Sequence, residues 1–184
     1  MLIPRPGPTR VAGLTAYLAA SVACAAVAFS AKHSKEGNRT LVRLAALCAL
    51  IEIALSFDLV FNLRWALHRF LEKQFLAHRL YDSRRPLQIV LLALLALALL
   101  IAVRLIAHLF SQSPQLQSRW ATLAAASVLL SAALWATEVI SLHEIDRVLY
   151  AHVFGLMAIA WLWGLLSAIT IAGMLLQLRA LKRV

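Results

Sequence analysis

The chain has 184 residues, of which 62% are hydrophobic and only 14% charged. A soluble globular domain is about 45–50% apolar and about 25% charged, so a chain this short cannot fold that much apolar surface away from water, and an unaided soluble fold is excluded. The 18 Lys and Arg against 8 Asp and Glu leave a net charge of +10, which in a membrane protein reads first as a topology signal and only then as affinity for anionic lipid.

In chain order, residues 1–10 carry three prolines and two arginines, and an apolar run follows at 11–31. The run is longer than a usual signal-peptide core and no soluble stretch follows it, so it reads as a first membrane helix. A spanning helix needs about 20 mostly apolar residues. Four more segments qualify, at 41–62, 86–110, 120–141 and 152–178. Backbone groups cannot stay unpaired in lipid, so each must be helical, and no strand alternation suggests a barrel. The expected fold class is all-α: a polytopic bundle of five transmembrane helices forming a single domain. Small residues in the fourth span (Ala124, Ala125, Ala126, Ser131, Ala132) and in the fifth (Gly164, Ser167, Ala168, Ala172) permit close helix approach and point to the fourth span as the central helix.

Residues 63–85 differ from the short connections elsewhere. Leu63, Ala66, Leu67, Phe70, Leu71 and Phe75 recur at helical spacing, with Arg64, Arg69, Glu72, Lys73 and Arg79 mostly between them. That pattern predicts an amphipathic helix at the lipid interface, the other reading being an extension of the second span. Trp65, Tyr81, Trp120 and Tyr150 fall at span ends, where an interfacial aromatic belt sits. The basic residues divide evenly between the two faces. Those on the face holding the C-terminus lie in short connections, which orient a protein most strongly. The expectation is a multi-pass protein of the bacterial inner membrane with its N-terminus outside and its C-terminus cytoplasmic.

Ionisable residues within spans are rare and mark pairs or sites. Glu52 lies roughly 16 Å from one end of its span and Arg104 roughly 9 Å from the same face, at 1.5 Å per residue. They form a candidate buried pair, unless Arg104 snorkels to the headgroups. Asp58 and Glu138 share a depth near the opposite face. Asn62 lies one turn beyond Asp58, Ser141 lies three residues beyond Glu138, and His143 and Asp146 follow at a spacing that shares one helix face. Carboxylates with a histidine are the groups of acid–base or metal chemistry, so Asp58, Glu138, His143 and Asp146 are the candidate catalytic groups. Asn62, Arg64, Arg84, Arg85, Ser141 and Arg147 are candidate ligand or lipid contacts. The alternative is a structural network that ties span ends together.

The chain holds no Walker loop, GxGxxG, HExxH, CxxC or GxSxG motif. A zinc site would need His143 and Asp146 joined by His68, His78 or His152, at no familiar spacing. His108 and His152 lie at opposite ends of the bundle and cannot share a haem, and His143 with His152, on one flexible connection, is a weak pair for one. No cofactor is therefore expected. Basic residues that border spans argue against nucleic acid. Cys24 and Cys48 lie in apolar runs and read as small core residues.

Two stretches, Tyr81-Asp-Ser-Arg84-Arg85-Pro-Leu-Gln88 and Ser141-Leu-His143-Glu-Ile-Asp146, resemble a family of uncharacterised five-span bacterial membrane proteins sometimes mislabelled isopropylmalate isomerase. In that family a polar pair ends span two and a Ser-aromatic-His-x-x-Asp element follows span four. Here Leu142 replaces the aromatic residue, and Asp58 and Asn62 stand in a different order. The resemblance implies five spans and a role for His143 and Asp146, but no activity. The enzymatic label conflicts with the chain, since such isomerases are soluble and need three cluster cysteines, and this chain has two. The expected function is an accessory or scaffold subunit in contact with membrane lipids. It would pack against other membrane proteins through its small-residue faces and its basic interfacial helix. The alternative is a membrane-embedded enzyme or small-ligand or metal binder with a polar site at the non-cytoplasmic rim.

Overall fold

The computed structural model describes residues 7–33, 39–77, 84–111 and 119–181. Among them run seven helices and one short hairpin: α1 (Pro8–Lys32), α2 (Arg39–Phe61), α3 (Leu63–Ala77), α4 (Arg84–Ser111), α5 (Arg119–Ile140), α6 (His143–Leu149), β1 (His152–Val153), β2 (Leu156–Met157) and α7 (Ala158–Leu181). Five of them, α1, α2, α4, α5 and α7, are long and apolar enough to cross a membrane. The chain is an all-α, multi-pass integral membrane protein.

Backbone conformation explains where the helices stop. Asn62 adopts φ 60°, and its N–H still bonds the Asp58 carbonyl at 2.7 Å. Asparagine tolerates this left-handed geometry better than most residues. The chain turns there, so α3 is a separate helix and not an extension of the second span. Ser141, at φ 51°, ends α5 in the same way. Phe154 (φ 50°) and Gly155 (φ 81°) are the two central residues of a tight hairpin, the conformation that two-residue turns require.

The hairpin corrects one boundary. The apolar run 152–178 is not one helix: residues 152–157 form β1 and β2, and the last span starts at Ala158. Trp161 and Trp163 therefore stand near its beginning and not at its middle. The amphipathic helix is described over Leu63–Ala77, residues 78–83 lie outside the described residues, and Arg84 and Arg85 open α4.

Helix α5 packs against α2, α3, α4 and α7, while α1 packs against α2 and α7. Close approach at α5 and α7 rests on Gly173, where a Cβ would lie 2.8 Å from the Trp120 carbonyl oxygen and 3.0 Å from Ala124 Cβ. Of the small residues, Ala124, Ala125, Ser131 and Ser167 are buried inside the bundle, whereas Ala168 and Ala172 lie exposed on α7. The core has two apolar clusters stacked along the bundle. One holds Cys24, Cys48, Leu41, Val128 and Met174, and the other holds Tyr17, Leu55, Leu59, Ile159 and Trp163. Both cysteines are buried and free. Helix α4 stands apart. It packs chiefly against α5, and Gln88 is its only buried residue among those described.

Candidate functional site

At the end of the bundle where α2 and α5 terminate, three charged side chains from three helices meet. Asp58 comes from the last turn of α2, Arg64 from the first turn of α3 and Glu138 from the last turn of α5. All three are buried, at 3%, 6% and 5% exposure. The turn at Asn62 makes this meeting possible, because it swings α3 back over the bundle end. The Arg64 backbone N–H donates to Asp58 Oδ1 at 2.6 Å, and its Nε donates to Asp58 Oδ2 at 2.5 Å. Its Nη1 donates to Glu138 Oε2. The guanidinium also lies over the Trp163 ring, 5.0 Å from the centroid, a cation–π contact with α7. One arginine thus joins α2, α3, α5 and α7.

Burial opposes the charge on Arg64, but Glu138 and then Asp58 more than offset it and hold the guanidinium above its ordinary range. The Tyr150 hydroxyl donates to Glu138 Oε2 at 3.4 Å. Its own acidity is weakened first by burial and then by the Glu138 charge. Two carboxylates and one guanidinium leave the cluster one negative charge in excess when all are ionised. Glu138 Oε1 is buried with no hydrogen-bond partner.

A second set of contacts anchors the end of α5, whose last carbonyls have no partner within the helix. Gln88 Nε2 donates to the carbonyl oxygens of Ile140 and Ser141, both at 2.8 Å. His68 Nδ1 lies 3.1 Å from the Val139 carbonyl oxygen, placed to donate in the tautomer with its proton on that nitrogen. Polar side chains from α3 and α4 thus cap α5.

The remaining candidates divide. Ser141 Oγ donates to Asp146 Oδ2 at 2.5 Å, while Asp146 Oδ1 is buried without a partner. Arg85 donates to Glu144 at 2.7 Å, but both side chains are more than half exposed, where an ion pair contributes little. His143 and Arg147 are exposed on α6. His143 does not join Asp58 and Glu138, because α6 starts beyond the turn at Ser141 and carries it outward. Tyr81, His78 and the Arg84 side chain lie outside the described residues.

Glu52 and Arg104 do not pair. Glu52 is wholly buried, at 0% exposure, and its electrostatic neighbours include Tyr17 and Cys24 of α1. Arg104 is exposed on α4, which sits on the outer side of α5. Similar depth did not bring them together, because their helices are separated around the bundle. Among the described residues, no three His, Cys, Asp or Glu side chains converge as a metal site would require.

Sequence reasoning missed Gln88, His68, Tyr150 and Trp163 as members of this rim. A polar residue inside the first turns of the most apolar span was the available signal for Gln88. The chain matches no family model, no curated protein and no solved structure.

Proposed function

We propose that this chain is a non-catalytic accessory or scaffold subunit of a larger membrane assembly. The observation that carries this reading is Arg64. Both acids that acid–base chemistry would use, Asp58 and Glu138, are engaged by one buried guanidinium that holds four helices together. Such an arrangement fixes a shape and leaves neither acid free of a charged partner. Helix α4 supports the same reading. Its Leu94, Leu97, Ile101 and Leu105 are exposed, uncovered by any of the described residues, so it offers an apolar face to lipid and to other membrane helices. The basic residues in the short connections support an orientation with the N-terminus outside and the C-terminus cytoplasmic in a bacterial inner membrane.

Site-specific photocrosslinkers at Leu97 and Ile101, with Leu165 of α7 as control, test the reading in intact membranes. The expected result is a discrete crosslinked protein from α4 and none from Leu165. Crosslinks to lipid alone at all three sites, with the purified chain monomeric, would overturn it.

One observation favours a second reading, in which the rim holds a small polar ligand or a metal. Glu138 Oε1 and Asp146 Oδ1 are buried acceptors without donors. Under that reading Asp58, Glu138, His143 and Asp146 are the acid, base or ligand groups. Asp146→Ala and His143→Ala variants that keep wild-type unfolding but lose bound metal or lipid would support it. Loss of stability alone would favour the scaffold.

A further inference from the structure

Near the junction of the two apolar clusters, which Ile51 joins, each of the four packed helices contributes to a layer of buried polar side chains: Ser21 from α1, Glu52 from α2, Ser127 and Ser131 from α5, and Ser167 and Thr170 from α7. All six are buried, and Glu52 and Ser131 are at 0% exposure. Helix register places them together. Asp58 and Glu138 share Arg64, so Glu52, six residues back along α2, stands level with Ser131, seven back along the parallel α5. Along α1 and α7, Tyr17 lies against Trp163, with ring centroids 6.1 Å apart, and Cys24 shares a cluster with Met174. That register brings Ser167 within about one turn of Glu52, at 3.6 residues per turn.

The layer is rich in acceptors. Ser21 donates to the Leu18 carbonyl at 2.8 Å, Ser127 to Leu166 at 2.7 Å and Thr170 to Leu166 at 3.1 Å. Each hydroxyl gives its proton to a backbone carbonyl and keeps oxygen lone pairs free. An ionised Glu52 can only accept. Neither of its oxygens has a hydrogen-bond partner, and the hydroxyls of Ser131 and Ser167 have none either. A carboxylate buried this way in lipid is strongly unfavourable unless its charge is balanced. Oxygen ligands suit a hard cation, and one carboxylate balances one positive charge.

We propose that the four core helices enclose a monovalent-cation site centred on the Glu52 carboxylate, with the hydroxyl oxygens of Ser131 and Ser167 as neutral ligands. The site is separate from the Arg64 cluster and does not depend on the scaffold reading. A divalent ion would leave the layer with a surplus positive charge.

Thermal unfolding of the full-length protein in detergent tests the proposal. The salts are sodium, lithium and potassium chloride, balanced with choline chloride to constant ionic strength at one fixed alkaline pH. The expected result is a saturable rise in Tm with one of the small cations over choline. Glu52→Gln should abolish it, and Ser131→Ala or Ser167→Ala should raise the half-saturating concentration about tenfold, the loss of roughly one ligand interaction. Identical unfolding in every chloride overturns the proposal, as does a cation response retained by Glu52→Gln. If Glu52→Gln does not fold, an unchanged half-saturation in both serine variants is decisive against it.

Discussion

Replacing Arg64 with alanine removes the guanidinium and leaves two carboxylates buried. Their losses are unequal. Asp58 keeps the bond from the backbone N–H of residue 64, whereas Glu138 keeps only the long contact from Tyr150. Hydrogen bonds to charged groups contribute about 1.5–3 kcal/mol each, and removing one partner of a buried pair costs about 3–5 kcal/mol. With Glu138 at the full penalty and Asp58 at a partial one, the expected loss is about 4 kcal/mol. For a chain of this length that corresponds to a fall in Tm of roughly 8–16 °C, at about 2–4 °C per kcal/mol. The triple variant Asp58→Asn, Arg64→Met, Glu138→Gln removes all three charges together, and its stability should return to within about 2 kcal/mol of wild type. Arg64→Lys should fall between, because a lysine cannot fork between two carboxylates. The assay is reversible unfolding in mixed micelles, followed by tryptophan fluorescence. An Arg64→Ala protein within about 1 kcal/mol of wild type would refute the reasoning, since no single buried pair of this kind is so weak when broken. So would a triple variant no more stable than Arg64→Ala.

Other consequences are equally direct. Gly173→Leu forces α5 and α7 apart and should destabilise by about 1–3 kcal/mol or more, read from the same unfolding curves; a neutral result would mean that the helices do not meet there. Gln88→Leu leaves the Ile140 and Ser141 carbonyls without their side-chain donor, so stability should fall by about 1–2 kcal/mol and amide exchange at the start of α4 should quicken. Asn62→Gly should be nearly neutral while Asn62→Val costs about 1–2 kcal/mol, the penalty of a left-handed conformation for a branched side chain. Tyr150 holds its proton more tightly in the folded state than its ordinary pKa near 10 allows. Its contribution is therefore fully present below about pH 10 and is lost as pH rises beyond it. The difference in ultraviolet titration between wild type and Tyr150→Phe should show a phenol ionising well above that pH, and a midpoint near 10 would refute this.

Much of the fold was legible because lipid leaves few choices. Apolar length alone located five spans, and small residues marked α5 as central. The misplaced boundary at 152 shows where that logic fails. His152, Val153, Leu156 and Met157 are apolar enough to continue a helix, and only the Phe154–Gly155 turn separates them from α7. Depth along a helix was also legible, and it brought Asp58 and Glu138 to one level correctly. Azimuth was not. Glu52 and Arg104 lie on helices that do not face each other, and no periodicity within one helix reveals how neighbours are arranged around it. Asn62 and Ser141 stand out in the sequence as polar, whereas their left-handed backbone is what ends α2 and α5, with the Ser141 side chain bonding Asp146 besides. Arg64 stands in the amphipathic pattern and also near enough in sequence to neutralise the rim carboxylates, and the turn before it directs its side chain inward to do so.

The spacing of the Arg64 cluster bears on how the protein is made. Asp58 and Arg64 are six residues apart, so they can neutralise each other as soon as α2 and α3 have left the ribosome. Glu138 follows 74 residues after Arg64. The early pair lowers the penalty of placing α2 in the bilayer while α5 is still unsynthesised. The later carboxylate then has a preformed cationic partner to meet. Arrival of α5 converts a local pair into a clasp across the bundle, so the order of synthesis becomes an order of assembly in which the last acid locks what the first one prepared.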